Sequence, residues 1–151
     1  MLLDELPRID EHAVRVRADP DRTWRAVLET FRSSGSAGGR VLASVLGAEP
    51  ASTSGWDGDS PRWRAMVPGF AVTDAERPHR VALRGRHRFS EYAIVVRIEP
   101  TGEGSVCRLE SRGAFPGPHG TVYRLLVVGS RGHVLAVRRL LDSMRRRAES
   151  R

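Results

Sequence analysis

Four side chains in this sequence have the chemistry to move a proton on a bound molecule: His87, His133, Tyr92 and Tyr123. An imidazole titrates near neutrality and can act as general acid or base, or orient a carbonyl. A phenol offers one hydrogen-bonding tip on an otherwise apolar ring. Trp63, Phe89 and Val127 would add apolar surface around them, and Ser111 and Ser130 small hydroxyls. Each has a plainer structural reading: a core or rim histidine with one satisfied hydrogen bond, or a core tyrosine with a wet tip. Catalysis would need a pair such as His87 and Tyr123 to converge, which spacing alone does not establish.

Missing residue types exclude more than the present ones assign. All 25 Lys-plus-Arg positions are Arg, and the chain has no Lys, Asn or Gln. That removes Schiff-base and pyridoxal-phosphate chemistry, and the lysine of a phosphate-binding P-loop. Gly35-Ser-Ala-Gly-Gly39 follows a helix rather than a strand and is discounted as such a loop. The five histidines, at 12, 79, 87, 119 and 133, show no metal-ligand spacing with each other or with the single cysteine, so no metal and no cofactor is expected. Cys107 reads as a buried, inert thiol in a strand, and one cysteine permits no internal disulfide framework. Glu99 and Glu110 alternate outward with Arg97, Arg108 and Arg112, a pattern of cross-strand ion pairs rather than of paired catalytic carboxylates.

The 151 residues fit a single domain, 1–151, and 40% hydrophobic content supports a real core. The formal charge of +7 invites a nucleic-acid partner, but its distribution argues against one. Residues 138–151 hold six Arg against Asp142 and Glu149, so the other 137 positions carry only +3. Cations at the end of a helix complement its dipole, which gives the cluster a structural reason. The acidic start lacks a signal-peptide core and no apolar run can span a bilayer, so a cytoplasmic chain without an integral membrane segment is expected. A homodimer stays open.

The elements that must position these residues read as follows. His12–Arg17 alternates as a half-buried strand. Asp19 caps a helix that Pro20 opens and that runs to about Phe31, with Trp24, Val27, Leu28 and Phe31 on one stripe. A second short helix is expected over Arg40–Leu46, and residues 48–61 read as an exposed loop. Five strands follow: Arg62–Val67, Phe70–Glu76, His79–Ser90, Tyr92–Glu99 and Ser105–Phe115, divided by Pro/Gly turns into an antiparallel meander. Alternation turns Val14, Val16, Trp63, Ala65, Val67, Val81, Leu83, Gly85, His87, Phe89, Tyr92, Ile94, Val96, Ile98, Cys107, Leu109, Ser111 and Gly113 to one face. A helical pattern of about 30 residues, roughly 45 Å, closes the chain from Gly117 to Arg147, interrupted by Gly129 and Gly132.

A curved sheet of this kind buries its concave face only by wrapping around the long helix. The opening strand with Ala18-Asp-Pro-Asp-Arg-Thr-Trp24, the late strand ending in Arg112-Gly-Ala-Phe-Pro116 and the helix from Pro118 resemble the START-like helix-grip superfamily. That group includes polyketide cyclase/dehydratase-like and lipid-transport-like proteins. The fold class implied is α+β: a curved antiparallel sheet around a long C-terminal helix, with two short helices after the first strand. The resemblance implies a cavity between sheet and helix for a small hydrophobic or amphipathic ligand, lipid- or polyketide-like. Trp63, His87, Phe89, Tyr92, Ser111, Tyr123, Val127, Ser130 and His133 are the candidate lining residues. The alternatives are a cyclase/dehydratase-type enzyme using the same pocket, or a basic partner-binding module built on the C-terminal arginines. A strand expected between the short helix and Trp63 is not legible in the sequence.

Overall fold

The computed structural model describes residues 6–33, 54–57, 60–67, 70–87, 90–114, 117–127 and 132–150. Strand β1 (Arg8–Val16) leads into helix α1 (Pro20–Ser33). Six strands follow: β2 (Ser54–Asp57), β3 (Ser60–Val67), β4 (Phe70–Glu76), β5 (Arg80–His87), β6 (Ser90–Thr101) and β7 (Gly104–Ala114). Helices α2 (Gly117–Val127) and α3 (Gly132–Glu149) complete the order. The strands form one antiparallel sheet in the order β1-β7-β6-β5-β4-β3-β2, so the first strand crosses the whole meander to pair with the last.

Helix α1 begins where its sequence says it must. The Asp19 carboxylate accepts the Arg22 N–H at 2.9 Å, and Pro20 occupies the first helical position, where a missing N–H costs nothing. One turn in, the buried Ser105 hydroxyl of β7 donates to the Ala18 carbonyl at 2.9 Å and shares a 2.7 Å hydrogen bond with the Thr23 hydroxyl. These contacts pin the start of the helix to the sheet. Trp24, Val27, Leu28 and Phe31 then face a core that includes Val81, Leu83, Val96, Ile98, Cys107 and Leu109 from the sheet. From α3 come Val137, Leu141, Met144 and Ala148, with Leu140 partly buried beside them. The Arg147–Glu29 ion pair at 3.2 Å ties α3 to α1 at the rim.

The two-residue link between β6 and β7 is set by close approach. A Cβ on Gly104 would stand 2.3 Å from the Val16 carbonyl oxygen and 2.8 Å from the Ala18 nitrogen, so only glycine fits there.

Several sequence expectations need correction. Residues 48–61 are not all loop: Ser54–Asp57 forms β2, and β3 starts at Ser60 rather than Arg62. Pairing of Trp56 with Pro61 and of Asp57 with Ser60 supplies backbone partners that the turn-rich composition concealed. Pro61 is tolerated one residue into its strand. Ser90 opens β6 instead of ending β5, and His79 lies in the turn before β5, its N–H bonded to the Glu76 carbonyl at 2.7 Å. The expected continuous C-terminal helix is described as two, α2 and α3, with 128–131 outside the described residues, as is the expected helix at Arg40–Leu46.

The outer face of the sheet is more buried than a solvated face requires. Ala82, Ala93 and Val95 point away from the core yet are at most 1% exposed. In register around them stand Arg80, Arg84, Arg97, Arg108 and Arg112, whose aliphatic stems can cover small apolar neighbours while their heads reach water. Glu110 sits among them, hydrogen-bonded by Arg97 at 3.1 Å and by Arg112. Burial pushes its carboxyl up, but hydrogen bonds from Arg112 and Arg97, with their charges, outweigh burial and hold it below the usual carboxylate range. Two of the expected cross-strand pairs are present, Arg97–Glu110 at 3.1 Å and Arg108–Glu99 at 3.4 Å, whereas Arg112 pairs with Glu110 on its own strand.

Candidate functional site

The inner face of the sheet can be followed row by row from its register. At one end Val14, Cys107 and Ile98 form a row, and His12, Leu109, Val96 and Val81 the next. Among these the sheet residues other than His12 and Val14 are fully buried against α1 and α3. The following row is Asp10, Ser111, Ile94, Leu83 and Val72, and here the character changes. Ile94 is only partly buried, and the row beyond it is Gly113, Tyr92 and Gly85. Large apolar side chains give way to a serine and two glycines around one half-buried tyrosine.

Ser111 is the unusual member. It is 3% exposed, and its hydroxyl has no hydrogen-bond partner among the described residues. A buried hydroxyl left unpaired costs about 1–3 kcal/mol, so such groups are rare and ask for a reason. Its diagonal neighbour Tyr92 stands between Gly85 and Gly113, with no cross-strand side chain on either side. The arrangement offers an apolar surface, one aromatic plate and one unused hydroxyl.

On β1 at the same level, the His12 ring Nε2 and the Asp10 carboxylate are 3.1 Å apart, and both side chains are about one-fifth exposed. Sequence reasoning missed this pair, although the alternation that turned Val14 and Val16 inward also puts His12 and Asp10 on that face. A groove of about 410 Å³ runs beside it between β1 and α3, lined by His12, Val14, Arg138, Leu141 and Asp142 among others. Cys107 is completely buried and its thiol is pushed up to about 12 by desolvation, so it supplies no nucleophile. Among the described residues no group of three or more His, Cys, Asp or Glu side chains could hold a metal ion, and no helix is long and apolar enough to cross a membrane.

Of the nine residues singled out from sequence, the structure brings Tyr92 and Ser111 together on adjacent strands. Trp63 lies on β3, His87 on β5 opposite Ser90, Tyr123 and Val127 on α2 and His133 on α3, with their side chains outside what is described. Phe89 and Ser130 lie outside the described residues altogether.

Comparison with known proteins follows the same lines. The model of the family described as polyketide cyclase / dehydrase and lipid transport matches residues 11–149. Among solved structures, a Chromobacterium violaceum protein is similar at 15% identity and TM-score 0.53, covering 95% of this chain and 99% of its own. A Rhodobacter sphaeroides protein is similar at 18% identity and TM-score 0.53, with coverages of 95% and 90%. The protein titled Ara h 8.0201 is similar at 11% identity and TM-score 0.51, with coverages of 94% and 97%. At these identities the likeness is one of fold: a helix-grip α+β architecture. None of the curated proteins matches the chain.

Proposed function

The chain belongs to the polyketide cyclase / dehydrase and lipid transport family, and on that premise we propose that it binds a small hydrophobic or amphipathic molecule on the inner face of its sheet. The ligand lies over the rows of Ser111–Ile94 and Gly113–Tyr92–Gly85, where side-chain volume on the inner face falls. Its apolar part contacts Ile94 and the Tyr92 ring, and one oxygen pairs with the Ser111 hydroxyl. The observation that carries this reading is the buried Ser111 hydroxyl, unpartnered among the described residues and next to the row of Gly113, Tyr92 and Gly85. Binding sites for small molecules are largely apolar with a few placed polar groups, and this surface has that composition.

The reading is one of binding. His87 and Tyr123, the pair that a proton-transferring enzyme of cyclase or dehydratase type would use, have side chains outside the described residues. The test is a titration with the neutral, polarity-sensitive dye Nile red. Wild-type protein should give a saturable one-to-one enhancement. Ser111→Leu, which fills the row, should abolish it while retaining the wild-type circular dichroism spectrum. Equal dye binding by folded Ser111→Leu protein would remove the site from this face.

A further inference from the structure

A cleft at the end of β1 is chemically unlike the inner-face rows of Ser111 and Tyr92. It holds about 700 Å³ and opens where the end of β1, the β6–β7 link and the last turns of α3 meet. Its lining includes Arg15, Arg17, Arg145, Ser105, Glu103 and Glu149. This is a charged, hydroxyl-bearing surface, unsuited to the apolar molecule assigned to the inner face.

The charges there are unequally committed. Glu149 accepts the Arg17 backbone N–H at 3.0 Å, which ties α3 to the end of β1. Asp142 pairs with Arg145 and also with Arg146. Arg145 still keeps a buried Nε without a partner. Arg15 and Arg17 are exposed, and neither guanidinium has an ion pair among the described residues. Arg145 and Arg146 stand in the last turns of α3, where cations offset the negative end of the helix dipole. Arg15 and Arg17 flank the last residue of a strand, so the dipole gives no reason for them. They lie two residues apart in the chain, and both line this cleft.

We propose that this cleft is an oxyanion site for a phosphate group, with Arg15 and Arg17 as its principal donors and Arg145 at its wall. Phosphate fits better than a carboxylate because a tetrahedral dianion carries twice the charge and a third terminal oxygen, and so suits a site that offers two uncommitted guanidinium forks. The phosphate comes from a soluble phosphomonoester or from an anionic lipid headgroup, and both present the same chemistry to the arginines. This site is separate from the inner-face site and stands or falls independently of it.

The experiment compares wild-type protein, the double variant Arg15→Gln/Arg17→Gln and a control with the same charge change elsewhere, Arg25→Gln/Arg139→Gln. Arg25 and Arg139 are exposed and line neither cleft. Each protein is titrated calorimetrically with glycerol 3-phosphate, and sedimented with phosphatidylcholine vesicles with and without phosphatidylglycerol. The wild type and control should bind at least one probe. The Arg15/Arg17 variant should lose at least about tenfold in affinity, and that loss should shrink as salt rises. Binding to glycerol 3-phosphate identifies a soluble phosphomonoester, and binding only to the anionic vesicles identifies a headgroup. Either supports the site. No binding by wild-type protein to either probe, or equal weakening in both variants, overturns it.

Discussion

Ser111 and Tyr92 are diagonal neighbours on the inner face of the sheet: Ser111 pairs across to Ile94, and Tyr92 pairs two residues on to Gly113. Diagonal positions lie about 7–8 Å apart, close enough for an aromatic ring and a hydroxyl to contact one molecule. This relationship gives the face both an apolar plate and a polar anchor beside a row of two glycines.

Substitution at Ser111 separates ligand contact from structural support. Ser111→Ala removes a hydroxyl that is buried and unpaired in the free protein, so stability should hold or rise by about 1 kcal/mol in urea titrations. Affinity for an oxygen-bearing ligand should fall about tenfold in the same variant. A purely structural serine would show no loss of affinity.

Cys107 should be unreactive while the protein is folded. Complete burial and a thiol pushed up to about 12 leave almost no thiolate at pH 8. A chromogenic disulfide reagent should therefore label it only after denaturant is added. Rapid labelling of native protein would contradict the packing described for β7.

Glu110 makes stability depend on acid. Its carboxyl is held below the ordinary value, so its contribution is fully present above about pH 4.3, the unfolded value, and is lost as pH falls through the folded one. The wild type should lose stability below about pH 4 more steeply than Glu110→Gln. At pH 7 that variant should be less stable by about 1–3 kcal/mol, because Arg97 and Arg112 lose a charged partner. Parallel pH profiles for the two proteins would remove this role.

Gly104 and Gly102 give a paired test of the close approach at the β6–β7 link. Gly104→Ala drives a methyl into the Val16 carbonyl and should cost about 1–3 kcal/mol by urea denaturation. At Gly102 nothing stands within 4 Å of an added Cβ, and Gly102→Ala should change stability by less than about 0.5 kcal/mol.

Much of the fold was legible because period-two alternation and the turn residues worked together. Val81, Leu83, Val96, Ile98, Cys107 and Leu109 were all assigned inward and all lie in the core. The Asp19–Pro20 start of α1 was equally plain, since capping is decided within four residues. Strand β2 was hidden because its partner is supplied from outside a segment of turn-forming composition. Burial of Ala82, Ala93 and Val95 was also hidden: alternation marks the outer face as solvated, and nothing in it signals that three apolar residues there are closed off from water. The inward placement of Ser111 and Tyr92 follows from the alternation, whereas the presence of Arg15, Arg17 and Arg145 on one cleft depends on where α3 ends against β1. Nothing local in the sequence encodes that meeting.

The most direct test of the inner-face site is native mass spectrometry of the protein freshly purified from its own host, followed by denaturing extraction. The account predicts a stoichiometric apolar or amphipathic adduct, released on unfolding and absent from Ser111→Leu protein. A clean unliganded mass for the wild type, joined to the same dye response in both proteins, would contradict it and return Ser111 and Tyr92 to purely structural roles.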